Sequence, residues 1–502
     1  MPTRPRPWLH ALIVAALGAA LCFPLLDYSG LSHAEGQRVQ PAREMAATGD
    51  WLVVRLFGQA YMRKPPGMVW AIAAASRVLG ESDAAARAVS GLGVIAGGLV
   101  TLLFARRWFG PACGLFGGIA FVLFPAWYWY PPVARSAEIE ALHNLWCLLA
   151  ACLMIDLSHG GPLRLRARVV GDPAWSVLRS VALCAAVAAM FLTKGPAGVA
   201  LIAGAFAAGL FTGRPRWRSL LAAVLVGTGA VAWWAISAHR AIGAAPVVVE
   251  SPEKFLFEHG KIVGILTLPF AAFVAALPWS ISLVRSPAPA GAVAQITPAR
   301  IGRALALTVA GAVILSMLLG VSNPRYLLPV FALLPACAAA AAWNDALEPP
   351  ILARRTMVWT IVLLVINAAL AGYAEHRRAT RTSGEADGER LGLLLQGPAE
   401  LWGDELLDQR PEIAMAAART AAARGHRITV RWTPRAAKRA APLSLPPPGG
   451  YVLVRTDTRH GPREEPEAPD WFGLGLRERA DLAFTGAAHN FRYEVWRIKT
   501  GS

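Results

Sequence analysis

The stretch Thr48-Gly49-Asp50-Trp51-Leu52-Val53, followed by Lys64-Pro65-Pro66, lies at the centre of the segment Leu31–Arg77. We predict the fold starting from this segment. The segment comes just after the first long apolar run. It is too polar, and too often interrupted by Pro and Gly, to cross a bilayer. It nevertheless contains Trp51, Trp70 and two short apolar runs, which is typical of a loop folded against a membrane surface. We therefore expect a membrane protein whose first loop presents acids and bases at the bilayer surface.

The composition of the 502 residues excludes an ordinary soluble protein. Hydrophobic residues make up 55% of the chain, charged residues only 16%, and the mean hydropathy is +0.43. We attribute the net charge of +17 to membrane topology and anionic lipid, and expect no nucleic acid as a partner. The six cysteines lie in apolar runs, and no Cys or His spacing indicates a disulfide framework or a metal site. We predict no cofactor, with a divalent metal ion left open.

Eleven apolar runs are candidates for membrane spans. They lie near Trp8–Leu26, Ala88–Ala105, Pro111–Trp129, Ala141–Ile155, Val177–Thr193, Ala197–Phe211, Leu220–Ser237, Ile262–Leu283, Ala304–Val321, Tyr326–Trp343 and Met357–Tyr373. The fifth and sixth are short, and the alternative is a re-entrant pair joined at Lys194-Gly195-Pro196. The first has basic residues before it, as a signal peptide does, but no convincing cleavage site, so we expect an uncleaved anchor.

The basic residues predict the orientation of these spans. With the N-terminus inside, the inner loops hold many more Lys and Arg residues than the short outer loops, as the positive-inside rule requires. The first loop and the C-terminus then face the periplasm or cell exterior. We predict a multi-pass protein of the bacterial inner (plasma) membrane.

The composition changes after Glu375, and we predict three parts. Residues 1–375 form an all-α polytopic membrane domain, with juxtamembrane helices in a first exterior loop at 28–87. Residues 376–392 form a linker, and residues 393–502 a small extracytoplasmic α/β domain to which we assign no chemistry. Its predicted elements are an Ala-rich helix, Ile413–Arg424, and strands Ile428–Trp432, Tyr451–Arg455 and Tyr493–Ile498.

Ionisable residues are concentrated at the outer ends of the predicted spans and are nearly absent within them. Lys and Arg at this boundary suit a lipid phosphate, and a carboxylate there can take a proton from an incoming hydroxyl or amine. These residues are Glu35, Arg38, Arg43, Glu44, Asp50, Arg63 and Lys64 in the first loop; Arg135, Glu138, Glu140 and His143; Lys194; Glu250, Glu253, Lys254, Glu258 and His259; and Arg325 with Tyr326.

Three motifs are read together. The first runs from Arg43-Glu44-Met45 through Lys64-Pro65-Pro66 to Trp70, and the other two are Leu192-Thr193-Lys194-Gly195-Pro196 and the turn from Ser322 to Pro329. They resemble the first-loop signature and two later turns of a membrane glycosyltransferase family of the GT-C type, and Arg87 matches the basic residue that opens the second span of that family. This family includes the lipid A aminoarabinose transferases and, more remotely, the dolichyl-phosphate-mannose protein mannosyltransferases. The resemblance extends over Leu31–Pro329.

The resemblance implies an inverting transfer of a sugar from a polyprenyl-phosphate donor, undecaprenyl phosphate in bacteria, to an extracytoplasmic acceptor such as lipid A, another glycan or a protein. The family activates the acceptor with a carboxylate. Its usual Asp-Glu pair reads Ala34-Glu35 here. Either Glu35 or Asp50 supplies the carboxylate, or the chemistry of this branch is changed or lost. The acid of the second loop falls at Glu138 or Glu140.

The predicted site consists of two groups, and each residue also has a structural interpretation. The catalytic candidates are Glu35, Asp50, Glu138 and Glu140, and the candidates for binding the lipid phosphate or sugar are Arg38, Arg43, Lys64, Lys194, Arg325 and Tyr326. Asp50 also suits a helix cap, and the two Lys residues also suit contacts with lipid head groups. We interpret His143 and His259 as ordinary polar residues, and Trp233 and Trp234 as interfacial or packing residues.

Two other functions fit parts of the sequence. A lipid or solute transporter should show broken helices or charges at mid-bilayer and internal repeats, and we find neither. A non-catalytic membrane scaffold with a partner-binding C-terminal domain is the alternative that Ala34 leaves open.

Overall fold

The computed structural model describes residues 7–31, 34–129, 132–160, 164–165, 168–169, 172–243, 268–270, 273–274, 276–283, 296–321, 324–343, 349–380, 384–403, 407, 410–432, 445–456, 471, 474–488 and 491–500. The chain is mostly helical. In chain order the helices are α1 (Pro7–Cys22), α2 (Gly36–Thr48), α3 (Gly67–Leu79), α4 (Asp83–Phe109), α5 (Pro111–Val122), α6 (Glu140–His159), α7 (Asp172–Lys194), α8 (Val199–Thr212), α9 (Trp217–Ile242), α10 (Ile296–Leu318), α11 (Leu328–Phe331), α12 (Leu334–Ala341), α13 (Pro349–Thr380), α14 (Gly384–Leu394), α15 (Pro411–Ala423) and α16 (Leu476–Arg479).

Six of these helices are long and apolar enough to cross a membrane, namely α4, α6, α7, α9, α10 and α13. Each coincides with a predicted span. The runs predicted at Trp8–Leu26, Pro111–Trp129, Ala197–Phe211 and Tyr326–Trp343 instead form shorter apolar helices. Of the fifth and sixth predicted spans, which were both expected to be short, the fifth is the full-length helix α7 and the sixth is one of these shorter helices. Part of the predicted span Ile262–Leu283, namely residues 262–267, 271–272 and 275, lies outside the described residues, as do Glu250, Glu253, Lys254, Glu258 and His259.

Helices α4 and α6 form the centre of the membrane part. They are the most buried of the six long helices, whereas α9 and α13 are the most exposed. Small residues on α4 allow this close packing: a Cβ added at Gly93 would lie 3.3 Å from the Ala141 carbonyl carbon of α6, and one added at Gly97 would overlap the Phe121 ring of α5. The start of α6 is therefore enclosed by protein.

The segment between α2 and α3 is held by short polar contacts. Strands β1 (Arg55–Leu56) and β2 (Gln59–Ala60) form a hairpin whose two turn residues, Phe57 and Gly58, have φ of 53° and 78°. The Glu44 carboxylate accepts hydrogen bonds from both turn amides, at 2.6 and 2.8 Å, and so stabilises a left-handed conformation that Phe rarely adopts. Burial raises the pKa of Glu44, and these hydrogen bonds oppose that shift.

The loop is also anchored to the long helices. The Trp70 indole nitrogen donates to the Trp51 carbonyl oxygen at 2.7 Å, and that of Trp234 on α9 donates to the Leu52 carbonyl oxygen at 3.0 Å. Trp234 thus fixes the first loop in addition to packing in the core.

The C-terminal part contains a five-stranded mixed sheet. A two-residue hairpin, β3 (Arg164–Leu165) with β4 (Arg168–Val169), lies between α6 and α7. The strands of the five-stranded sheet are β5 (Ala399–Gly403), β6 (Ile428–Trp432), β7 (Tyr451–Arg455), β8 (Ala480–Ala488) and β9 (Phe491–Ile498), in the order β6-β5-β7-β9-β8. β5 is parallel to β6 and β7, and β9 is antiparallel to β7 and β8. The three predicted strands and the Ala-rich helix, α15, are confirmed. We did not predict β5 or β8. Strand β8 is rich in Ala, which has a weak intrinsic preference for strands, and β8 is defined by its pairing with β9.

Much of the segment predicted as a linker is helical. Helix α13 continues to Thr380, and α14 begins at Gly384 and packs against α15, where a Cβ added at Gly388 would lie 2.2 Å from the Ile413 carbonyl oxygen. Leu391 of α14 is buried in this contact. The predicted limits of the domains stay a prediction.

The C-terminal part packs directly onto the first loop. A Cβ added at Gly36, the first residue of α2, would lie 2.6 Å from the Pro411 Cγ at the start of α15. The adjacent Glu412 is 3% exposed, and burial raises the pKa of Glu412 to about 7 although Arg410 opposes the shift. Apolar residues of both parts, including Val39 and Ile413, share one buried cluster.

Candidate active site

Four of the predicted site residues, from three separate stretches of the chain, form one charged cluster: Glu138, Glu140, Lys194 and Arg325. Glu140 Oε1 lies 3.4 Å from Lys194 Nζ and 3.2 Å from Arg325 Nη2. Glu138 Oε2 also contacts Arg325 Nη2. The Lys194 ammonium group lies 5.4 Å from the centroid of the Tyr326 ring. The cluster therefore combines two acids, two cations and an aromatic ring at one point.

The ends of helices position these charges. Glu140 is the first residue of α6 and Lys194 the last residue of α7, so each charge lies at the helix end whose dipole stabilises it. Glu138 precedes α6, and its carbonyl oxygen accepts a hydrogen bond from Ser90 Oγ of α4 at 3.3 Å. Arg325 lies in a 3-10 turn, Pro324–Leu327.

The turn that contains Lys64 lies beside the same helix end. Lys64-Pro65-Pro66 leads directly into α3, which begins at Gly67. A Cβ added at Gly67 would lie 2.8 Å from the Leu192 carbonyl oxygen and 2.9 Å from Thr193 Oγ1. Only Gly allows the first-loop motif to approach the residues that precede Lys194 this closely. Two motifs that are far apart in the sequence are thus in direct contact.

Glu35 belongs to a different, saturated network. It is fully buried and forms a two-pronged ion pair with Arg87, with Arg87 Nε donating to Glu35 Oε1 at 2.8 Å and Nη2 to Oε2 at 3.0 Å. Arg87 also donates to the carbonyl oxygens of Leu26, Ser29 and Gly30, so that all five of its N–H groups are used. Glu35 Oε1 in turn accepts a hydrogen bond from the Ala137 amide at 2.9 Å. Through Ala137, the network fixes the backbone next to Glu138.

A second buried arginine continues this network. Arg135 Nε donates to Glu375 Oε1 at 3.2 Å, and its Nη atoms donate to carbonyl oxygens at the end of α1 and just after it, at Leu21 and Pro24. Ser29 Oγ donates to the other oxygen of Glu375 at 3.1 Å. Glu375 was not among the predicted site residues, because its position near the end of the last span gives no sign of this partner. We refer to Glu35, Arg87, Arg135 and Glu375 as the buried network.

The remaining predicted residues make contacts of their own. Arg43 forms ion pairs with Glu81 and Asp83, both at 3.0 Å. Asp50 Oδ1 accepts hydrogen bonds from the amides of Leu52 and Val53 at 3.1 Å, and so closes a local turn. The helix that Asp50 was expected to cap is not formed, since the next element in the chain is β1. Arg38 is buried and donates to the Gln37 carbonyl oxygen at 3.3 Å.

Asn144 is a polar residue near the cluster that we did not single out from the sequence. It lies four residues after Glu140 on α6 and is 2% exposed. Its Oδ1 and Nδ2 atoms have no hydrogen-bond partner among the residues that the structure describes. The neighbouring His143 places Nε2 3.4 Å from Cys147 Sγ. A carboxamide within an apolar span, one helical turn from an acid, is the signal that would have identified Asn144.

No group of three or more His, Cys, Asp or Glu residues suited to a metal ion occurs in the ranges described above. The charged cluster contains two carboxylates beside two cations. This arrangement suits an anionic group more than a metal cation.

Comparisons with known proteins agree with the motifs. No family model matches the chain. The undecaprenyl phosphate-alpha-4-amino-4-deoxy-L-arabinose arabinosyl transferase of Pseudomonas savastanoi pv. phaseolicola is 28% identical over 189 residues, which are 37% of this chain and 32% of that protein. The matched segment thus spans about a third of the length of this relative.

The likeness of the folds covers nearly the whole chain. The crystal structure of ArnT from Cupriavidus metallidurans in the apo state has a TM-score of 0.65 and 17% identity, and covers 97% of both chains. The crystal structure of ArnT from the same organism bound to undecaprenyl phosphate gives the same TM-score and identity over 98% of both chains. The resemblance that the first-loop motifs indicated is therefore confirmed, and the chain has the GT-C-type fold represented by ArnT.

Proposed function

We propose that this protein is a glycosyltransferase that takes a sugar from a polyprenyl-phosphate donor and transfers it, with inversion, to an acceptor outside the cytoplasm. The observation that carries this proposal is the charged cluster. It places two cations and two carboxylates, drawn from three separate stretches, at the ends of membrane helices. The likeness to the aminoarabinose transferases supports the same chemistry.

The two cations of the cluster are suited to the donor phosphate. Lys194 and Arg325 both contact Glu140 Oε1, so they lie close enough to hold one anion together. A phosphodiester that enters the cluster would compete with the carboxylates for these cations. Binding of the donor would therefore release carboxylate oxygens from their ion pairs as it occupies the site.

A released carboxylate can then act as the base. We assign this role to Glu138, and to Glu140 the positioning of both cations. Glu138 takes the proton of the acceptor hydroxyl or amine, whose oxygen or nitrogen forms the new bond to the anomeric carbon. The bond from that carbon to the phosphate oxygen breaks, and the polyprenyl phosphate leaves with the electron pair. Lys194 and Arg325 stabilise the negative charge that develops on this oxygen.

An apolar cavity lined in part by the helix that follows Arg325 is suited to the polyprenyl chain. It has a volume of about 500 Å³ and is lined by the 269–283 segment, by α10 and by α11, with Val313, Met317, Val330 and Phe331 among the lining residues. Phe331 follows Arg325 by only six residues. A lipid whose phosphate contacts Arg325 can therefore place its first isoprene units in this cavity.

We also propose the arrangement of the protein in the membrane. In this arrangement the chain crosses the bacterial inner membrane eleven times, and the charged cluster and the C-terminal α/β domain lie on its extracytoplasmic face. The positive-inside rule supports this orientation. The partners are then a polyprenyl-phosphate sugar and an acceptor that is a lipid such as lipid A, another glycan or a protein.

The test is the replacement of each acid by its neutral isostere. Wild type, Glu138→Gln and Glu140→Gln are expressed in a deletion strain, and lipid A and the polyprenyl-phosphate lipids are analysed by mass spectrometry. We expect Glu138→Gln to lower the transfer rate about 10²–10⁴-fold, the usual contribution of a general base. Glu140→Gln should mainly raise the donor KM. Unchanged modification in both variants, at normal protein levels, would contradict the proposed function.

A further inference from the structure

Asn144 offers two kinds of hydrogen-bonding atom to a ligand. Its carboxamide is buried, and both Oδ1 and Nδ2 lack a partner in the described part of the chain. A buried amide that stays unpaired destabilises a protein, so such groups are usually satisfied by a neighbour, water or a ligand. Asn144 thus has a reason to bind something that the protein itself does not supply.

The position of Asn144 places it beside the charged cluster. Four residues along an α-helix advance about 6 Å along the axis and about 40° around it, so Glu140 and Asn144 lie on one face of α6. Glu140 Oε1 contacts the cations, whereas Glu140 Oε2 is buried and has no hydrogen-bond partner within the described ranges. One donor and two acceptors therefore remain on adjacent turns of the same helix face.

The chemistry of these three atoms selects the ligand. A phosphate oxygen can accept from Asn144 Nδ2, but a phosphodiester has no hydrogen to give to Oδ1 or to Glu140 Oε2. A sugar hydroxyl both donates and accepts, and two neighbouring hydroxyls satisfy all three atoms. A hydroxyl or amino group on a sugar ring fits this set, and a second phosphate group does not.

We propose that Asn144 recognises the sugar of the donor, through a ring hydroxyl or amino group, and so sets the preference for the sugar-bearing lipid over the bare polyprenyl phosphate. This inference rests on the proposed function. The phosphate is held by Lys194 and Arg325, and the sugar attached to it lies against the Glu140–Asn144 face of α6. A site that hydrogen-bonds a substrate hydroxyl discriminates strongly against analogues that lack it, because its own polar atoms are then left unpaired.

The experiment compares the affinity of full-length protein in detergent for two kinds of lipid. The probes are undecaprenyl phosphate and undecaprenyl phosphate carrying 4-amino-4-deoxy-L-arabinose, mannose or galactosamine. Wild type should bind at least one glycosylated lipid more tightly than the bare lipid. Asn144→Leu should weaken binding of that lipid about tenfold to a hundredfold and change the affinity for undecaprenyl phosphate less than about twofold. Asn144→Ala serves as the second variant if the Leu side chain disturbs folding.

Asn367→Leu is the matched control. Asn367 is also buried within a long helix, and its Oδ1 likewise lacks a partner among the described residues, but its Nδ2 donates to the Leu123 carbonyl oxygen at 2.7 Å. Its replacement should lower stability and leave the ratio of the two affinities unchanged. Equal affinity of wild type for all four lipids, or an Asn144→Leu protein with the wild-type ratio, would overturn the inference alone. A wild-type protein that binds none of the lipids would overturn the proposed function itself.

Discussion

The buried network and the charged cluster both combine two acidic with two basic side chains, yet they differ in how completely their polar atoms are paired. In the buried network, Arg87 uses all five N–H groups, and both oxygens of Glu35 accept hydrogen bonds. In the charged cluster, Glu140 Oε2 has no hydrogen-bond partner among the described residues, and neither does the carboxamide of Asn144 one turn away. A set of charged groups whose hydrogen bonds are all made within the protein has a structural role, whereas a set with unpaired atoms can bind a ligand.

The largest expected effect is a loss of stability, and it follows from a substitution in the buried network. Arg87→Met leaves Glu35 buried without its counter-charge, and removal of one partner of a buried ion pair costs about 3–5 kcal/mol. We expect a marked fall in the thermal unfolding temperature in detergent. Lys499→Met is the control, because Lys499 and its partner Asp481 are 42% and 75% exposed and an exposed pair contributes about 1 kcal/mol or less. Equal unfolding temperatures for the two variants would show that the fully hydrogen-bonded ion pair of Arg87 and Glu35 does not stabilise the fold.

Glu412 is a further buried acid, outside the buried network, and its substitution tests how the burial of a carboxyl group makes stability depend on pH. Its folded pKa of about 7 lies above the ordinary value of about 4.3, so the folded protein binds this proton more tightly than the unfolded chain. The resulting stability is complete below about pH 4.3 and is lost as the pH rises through 7, by an amount on the order of 3 kcal/mol. We expect Glu412→Gln to unfold at a higher temperature than wild type at pH 8, with the difference vanishing near pH 4. A difference that does not depend on pH would contradict this prediction.

Substitution of Arg325 tests the charged cluster. Its side chain is 31% exposed, so Arg325→Met should change stability much less than Arg87→Met does. The loss of one of two cations that hold the donor phosphate should raise the donor KM about tenfold to a hundredfold. The measurement is the donor dependence of transfer by the purified protein, with circular dichroism to check folding. A large loss of stability with normal transfer would place Arg325 with the structural charges.

The smallest effect is expected at Asp50, a predicted site residue whose carboxylate closes a local turn. Asp50→Ala removes the acceptor for the amides of Leu52 and Val53 and should cost about 0.5–1.5 kcal/mol. Asp50→Asn keeps an accepting oxygen and should recover most of this stability. Transfer by the folded Asn variant should stay near the wild-type rate, and a loss beyond about tenfold would restore Asp50 as a catalytic candidate.

Sequence patterns predicted the long helices and the motifs, because both depend on local order along the chain. Six predicted spans coincide with long apolar helices, and the C-terminal strands β6 and β7 have the predicted limits. Strand β8, rich in Ala, was missed because its strand conformation depends on β9 rather than on its own residues. Glu375 and Asn144 were missed because their significance depends on partners, present or absent, that the sequence does not reveal.

The sequence by itself determined that the chain enters a membrane, that its acids and bases are concentrated at the ends of the apolar spans, and that its motifs resemble those of glycosyltransferases. Hydropathy and residue identity are properties of the chain that need no partner. Only the tertiary structure separated Glu35, which has a saturated ion pair, from Glu140, which lies between two cations and keeps an oxygen without a hydrogen bond in the described part of the chain. The reason is physical: the role of a charged group depends on which of its hydrogen bonds are already made, and these are decided by residues far away in the chain.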